Sequence, residues 1–157
     1  MLKLSKKADY GLIAVRHLAM KFETGACSSK DIARAYGIPT ELLAKILQKL
    51  VKKGLLVSQH GAEGGYALAR PPASVTVFEV IKAIDGPLLI TSCITSQGDS
   101  CSQSDTCTVK EPLSKINEII VNALDSVTIS SIGESSPAAA AESPSLVQIG
   151  ATGQHTS

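Results

Sequence analysis

The sequence predicts a mainly α-helical fold carrying one small β-hairpin. Three observations lead there. Apolar residues recur at three- and four-residue intervals over most of the first 128 positions. Hydrophobic residues make up 44% of the 157 but aromatic ones only 3%, so the core is aliphatic. One glycine-rich stretch, Gly61-Ala62-Glu63-Gly64-Gly65, separates two short β-prone runs.

The elements follow in order. Ser5 is placed to cap a first helix of about 17 residues ending near Phe22, with Leu12, Val15, Leu18, Ala19 and Phe22 at helical spacing. Ser28 caps a short second helix, with Asp31 three residues on in the manner of a capping box, and Gly37 suits the left-handed position that ends it. Pro39 suits the first turn of a third helix, which buries Leu42, Leu43, Ile46, Leu47, Leu50 and Val51. Glu41, Lys45, Gln48 and Lys52 share the opposite face. Helix, short turn with Gly, and helix with a polar outward face form a helix-turn-helix pattern, which an ordinary helical pair resembles.

A hairpin directly after the third helix is a wing. Its strands are Leu55–Ser58 and Tyr66–Ala69, and Pro71 and Pro72 stop the second. Gly64 and Gly65 allow close backbone approach, and His60 and Arg70 stand ready for phosphate. Thr76-Val77-Phe78-Glu79 reads as a full capping box, with Val75 and Val80 as a hydrophobic staple. That helix ends at Gly86-Pro87. The last helix starts near Thr108 or Glu111, the two residues forming a second possible capping box. It repeats Leu113, Ile116, Ile120, Ala123, Leu124 and Val127, a narrow seam that suits a second copy of the chain more than its own domain.

Charge is unevenly placed. Residues 1–70 hold 12 Lys and Arg against 5 Asp and Glu, and residues 71–157 hold 3 against 9, which the net +1 conceals. A basic front half carrying a helix-turn-helix suits a polyanion, where each neutralised phosphate releases counterions. With no Trp and two Phe, a base-stacking surface for single strands is not expected. No Ser/His/Asp or paired-carboxylate arrangement is present, and the three His stand far apart, so an enzyme is not expected. No stretch approaches the ~18–20 apolar residues of a membrane span, and the start lacks a cleavage pattern, so a cytoplasmic protein is expected.

The chemistry concentrates between Cys93 and Cys107, in CITSQGDSCSQSDTC. Three of four cysteines fall there at C-x7-C-x5-C, in a segment too polar to fold alone. A disulfide needs an oxidising compartment that nothing indicates. Structural zinc needs four Cys or His ligands, usually with a C-x2-4-C knuckle. Thiolates at irregular spacing with a fourth ligand from elsewhere suit an iron–sulfur cluster, which leads over a bare redox-thiol switch and zinc. Cys27, lying 66 residues upstream of Cys93, is set aside as a packed or idle thiol. From residue 130 on, Ser, Ala, Pro and Gly dominate with two charges, the composition of a disordered tail. The expected divisions are 1–87 (winged helix-turn-helix), 88–108 (cysteine loop), 109–129 (dimerisation helix) and 130–157 (tail).

With these motifs placed, residues 1–128 resemble the Rrf-two family of winged-helix regulators, the group containing IscR and NsrR. The resemblance rests on KLSKKADYGLIAVRHLA, IPTELLAKILQKLVKKGLL, GGYALAR, VFEVIKAIDGP and the three-cysteine loop before a last helix. It implies a homodimeric transcription factor that binds an inverted-repeat operator in double-stranded DNA and senses iron–sulfur or redox status, with iron–sulfur assembly genes as targets. The implied cofactor is an iron–sulfur cluster, 2Fe-2S rather than 4Fe-4S, on Cys93, Cys101 and Cys107. Where one branch has a His three residues after the last Cys, this chain has Lys110. Another branch has an acidic residue in the place of Asp9 that reaches the partner's cluster, which implies Asp9 as fourth ligand. The first cysteine gap, x7, is longer than the family's usual x5. On this reading the DNA-facing residues are Lys6, Ser29, Thr40, Glu41, Lys45, Gln48, Lys49, His60, Gly64 and Gly65. The alternatives are a small iron–sulfur redox or electron-transfer protein and a cluster-free thiol-redox repressor.

Overall fold

The first two helices each begin at a serine whose side chain accepts from one of their first free N–H groups. In the computed structural model, which describes residues 3–62, 64–91 and 106–133, helix α1 runs Lys6–Met20, two residues short of the expected end. Ser5 Oγ accepts from the Ala8 amide at 3.0 Å. Helix α2 spans Ser29–Tyr36 and ends on Gly37 in the left-handed region, φ 64° and ψ 29°. Ser28 Oγ accepts from the Asp31 amide at 3.1 Å but also donates to Asp31 Oδ2 at 2.6 Å. The Asp31 carboxylate is thus held by the hydroxyl, in place of the backbone N–H of a full capping box.

Helix α3 covers Thr40–Lys52 with Pro39 at the N-cap, one position before the first turn where the sequence put it. Strands β1 (Leu56–Gln59) and β2 (Gly65–Leu68) pair antiparallel, with Leu56 opposite Leu68 and Gln59 opposite Gly65. A further edge is added by Cys27, whose N–H donates to the Tyr66 carbonyl at 2.9 Å and whose carbonyl accepts from the Tyr66 N–H at 2.8 Å. That pairing explains Gly65, since a Cβ there would strike the Cys27 carbonyl.

Helix α4 (Val77–Asp85) has the expected capping box. Thr76 Oγ1 accepts from the Glu79 amide at 3.2 Å and Glu79 Oε2 accepts from the Thr76 amide at 3.0 Å. Val75 and Val80 are both fully buried beside it. The core lies between the inner faces of α1 (Ala8, Ala14, Val15, Leu18), α3 (Leu43, Ile46, Leu47, Leu50) and α4 (Val80, Ile81, Ile84). Gly11 lets α1 press on α4, because a Cβ there would strike Ile84 Cδ1.

Helix α5 (Lys110–Asp125) starts at an N-cap, Val109, that offers no side chain. The expected Thr108/Glu111 capping box does not form. Lys115 Nζ draws Glu111 Oε1 to 2.7 Å one turn along the helix, away from its start. Past α5 the chain returns to α4. Val77 N–H donates to the Val127 carbonyl at 2.9 Å, Ile129 N–H to the Val75 carbonyl at 2.8 Å, and Thr76 Oγ1 to Asp125 Oδ1 at 2.8 Å. Ile129 joins the core at 1% exposure, and Ser131–Gly133 forms a 3-10 turn beside Arg16. Ordered structure therefore continues four residues into the stretch assigned by composition to the tail, and 134–157 lies outside the described residues. No helix among the described residues is long and apolar enough to cross a membrane.

Candidate nucleic-acid interface and cysteine segment

The outward face of α3 follows from its period. With Leu43, Ile46, Leu47 and Leu50 turned into the core, Thr40, Glu41, Lys45, Gln48 and Lys52 are left exposed. The wing stands along one side of this stripe. A groove of about 290 Å³ between them is lined by Gln48, Val51, Lys52, Ser58, His60 and Tyr66. On the side of α2, a groove of about 420 Å³ is lined by Lys30, Ala33, Arg34, Ile38 and Thr40. The fold thus brings Thr40, Lys45, Gln48 and His60 onto one flanked surface, with α2 packed against α3. Among the described residues Lys30, Arg34, Lys45 and Lys52 make no ion pair, which leaves their charge available to a polyanion.

Sequence reasoning missed Lys30 and Arg34. Their spacing of four puts both on the exposed side of α2, a signal visible once that helix is assigned.

Several expected contacts have other partners. Lys49 Nζ donates to the Ile84 carbonyl at 2.6 Å, tying α3 to the last turn of α4. Arg70, expected to meet phosphate, holds Glu79 Oε1 at 2.7 Å and the Ser74 carbonyl at 3.1 Å. Burial pushes the Glu79 carboxyl up, but hydrogen bonds from Thr76 and Arg70 outweigh it and leave the group below its ordinary range. Lys6 lies 3.8 Å from Asp9, with its ammonium 5.6 Å from the Tyr10 ring centre. Ser29 is half-buried at the start of α2. A Cβ at Gly64 would come within 2.6 Å of the Gln59 carbonyl, so this glycine, like Gly65, has a packing reason independent of any ligand.

Of the proposed metal ligands, Cys107 is half-buried three residues before α5, and Asp9 is exposed on the first turn of α1. Cys93 and Cys101 lie outside the described residues. Among the described residues no group of three or more His, Cys, Asp or Glu comes together to hold a metal. In kind, the donor set suits an iron–sulfur cluster: three thiols within fifteen residues, the last at the mouth of a helix. Cys27 is partly buried against the hairpin, and burial pushes its thiol up, away from the reactive thiolate. His17, whose Nδ1 lies 3.0 Å from Tyr36 Oη, is pushed down by burial and by Lys21.

The entry to the cysteine segment is fixed on two sides. Ser5 Oγ, at the head of α1, donates to Asp85 Oδ1 at 2.6 Å, while Lys49 on α3 holds the neighbouring Ile84 carbonyl. Beyond α4, the Ile90 N–H donates to Asn117 Oδ1 at 3.0 Å, and Asn117 is 7% exposed. Asn117 lies roughly 10 Å along α5 from its start.

A three-helix core with an exposed third helix, a hairpin wing and a further long helix is the architecture of winged helix-turn-helix regulators. The chain belongs to the Rrf2 family, described as iron-dependent transcriptional regulators, whose sequence profile matches residues 4–135. It is 30% identical to the HTH-type transcriptional regulator IscR of Klebsiella pneumoniae over 128 residues, 82% of this chain and 77% of that one. Relatives matched at 39% identity align over 87 residues and 54% of their length, so the chain spans about half of them. Among solved structures, T. potens IscR superposes with a TM-score of 0.68 at 31% identity, over 90% of this chain and 94% of that one. CymR, the global cysteine regulator of B. subtilis, superposes with a TM-score of 0.71 at 28% identity, over 87% and 99%.

Proposed function

We propose that this protein is a dimeric repressor-type regulator that binds an inverted-repeat operator through α3 and the wing and responds to an iron–sulfur cluster held by Cys93, Cys101 and Cys107. Genes of iron–sulfur assembly are the proposed targets, by similarity to IscR. The cytoplasm is the proposed compartment. Residues 1–87 act as the DNA-binding unit, 88–108 as the cysteine loop, 109–129 as the dimerisation helix, and the stretch after 133 as a tail. Thr40, Glu41, Lys45, Gln48 and His60 face the operator, joined by Lys30 and Arg34 at the phosphates.

The observation that carries the coupling is the double tether at the end of α4. The chain leaves for the cysteines immediately after a residue pair bonded to both the head of α1 and the recognition helix. Cluster binding at the cysteine segment then biases the position of α3, and through α5 the spacing of two recognition helices. When bound, the cluster supplies one-electron and ligand-exchange chemistry, with 2Fe-2S the favoured type. Asp9, one turn from Ser5, is the proposed fourth ligand, reaching across the dimer. An oxygen donor among thiolates would be the weakest of the four bonds.

Similarity to CymR favours a second reading, a cluster-free regulator answering to thiol status.

Anaerobic purification with iron, sulfide and visible absorbance measured on one sample separates the two. Cys93→Ser, Cys101→Ser and Cys107→Ser are each expected to give colourless protein with little iron, and Cys27→Ser to remain coloured. Asp9→Ala is expected to shift the spectrum and hasten cluster loss, whereas Glu111→Ala loses only an exposed i,i+4 ion pair with Lys115, about 0.3–0.5 kcal/mol. Colour surviving in Cys101→Ser removes the cysteine assignment; equal spectra and lifetimes for Asp9→Ala and the parent remove Asp9.

A further inference from the structure

Helix α3, TELLAKILQKLVK, carries one carboxylate and three lysines. The carboxylate, Glu41, is exposed in the first turn, beside the groove lined by Lys30, Arg34 and Thr40. Lys45 stands one turn on, in the order that favours a Glu–Lys pair. Yet among the described residues Glu41 takes part in no ion pair or hydrogen bond. A free carboxylate on a surface built for a polyanion weakens binding to every sequence alike, unless it meets a hydrogen-bond donor there. The major groove offers such donors on base edges: a carboxylate accepts from cytosine N4, and a Gln amide fits adenine N6 and N7.

We infer that Glu41 is a specificity residue that accepts from a cytosine amino group in each half-site and repels the phosphates of DNA lacking it. The inference rests on α3 being the recognition helix, as proposed above. Gln48 follows Glu41 by seven residues on the same face, roughly 10 Å at 1.5 Å per residue, about three base steps of 3.4 Å. The half-site therefore has a C·G pair under Glu41 and, about three pairs away, an A·T pair under Gln48, with Lys45 above the bases between them. Repulsion of wrong DNA by an unpaired charge adds to the selectivity that the contact itself provides.

Glu41 also stands at the amino end of α3, where a carboxylate favours the helix dipole. Glu41→Asp separates the roles, because it keeps the charge at the helix start but shortens the reach to the base. The experiment selects bound sequences from random double-stranded DNA with the full chain, its Glu41→Gln and Glu41→Asp variants, and Gln48→Ala. Affinities for the selected site and for a C-to-T change are then measured. The parent is expected to prefer C at one position per half-site by roughly 5- to 100-fold. Both Glu41 variants are expected to lose that preference at that position alone. Glu41→Gln is further expected to bind random DNA more tightly, most clearly at low salt. Gln48→Ala is expected to relax only the A·T position about three pairs away. Retention of the C preference in Glu41→Asp or Glu41→Gln, or a uniform change at all positions, overturns the inference while leaving the operator reading intact. Failure of the parent to select any sequence overturns both.

Discussion

Lys45→Glu is expected to lower operator affinity by about 100-fold or more while leaving the fold unchanged. The first half follows from position. Lys45 sits in the middle of the exposed stripe of α3, between the grooves made with α2 and with the wing. A cation there neutralises phosphate or reads guanine, and its reversal both removes that contact and adds repulsion to a polyanion. The second half follows from the absence of any partner for Lys45 among the described residues. Fluorescence anisotropy on labelled operator at two salt concentrations measures it, and the salt slope is expected to fall by about one or more. Lys49 is a different case, because its ammonium holds the Ile84 carbonyl. Substitution there disturbs the α3–α4 contact as well as any contact with DNA. Parental affinity in Lys45→Glu would displace α3 from the interface.

The double variant Ile116→Asp with Ile119→Asp is expected to give a folded monomer. The two side chains are 47% and 66% exposed on α5, and Val109 and Val127 extend the apolar surface along it. On its other side α5 is anchored to its own chain by Asn117 and Leu124, and the exposed side is the one the proposed second copy would cover. Burying an Ile contributes roughly 1.5–3 kcal/mol, and two-fold symmetry places each substitution in the interface twice. The dimer dissociation constant should therefore rise by more than about 1000-fold. Sedimentation velocity at micromolar protein reads it directly, and loss of inverted-repeat binding should accompany it. A dimer that survives both charges would locate the interface elsewhere.

What the sequence revealed depended on how local the chemistry was. Ser5, Ser28, Gly37 and the Thr76/Glu79 pair each act within one helical turn, and each was legible as a start or stop signal. The stripe of α3 was legible because burial of Leu43, Ile46, Leu47 and Leu50 at helical period leaves only one face for Lys45 and Gln48. Where two partners competed for one group, the sequence could not rank them. Glu111 had Thr108 behind it and Lys115 ahead, and Lys115 won. Arg70 was free in sequence but nine residues from Glu79, which the turn at Pro71 and Pro72 folds back into reach. Long-range pairings carried no local signal at all. Cys27 against Tyr66, Lys49 against Ile84 and Ile129 against Val75 are separated by 39, 35 and 54 residues. The last of these also explains why composition alone started the tail four residues early: Ser130 to Gly133 look like linker, but Ile129 has already fixed them to the core.

In the proposed mechanism operator binding follows the state of the cysteine segment, and footprinting is the measurement that tests this coupling. Protein purified anaerobically, before and after removal of its iron, is applied to genomic fragments recovered by its own binding. The expected result is protection of two half-sites about one helical turn apart, with protection changing in strength or sequence between the two forms. Identical footprints at identical protein concentrations for both forms would contradict it.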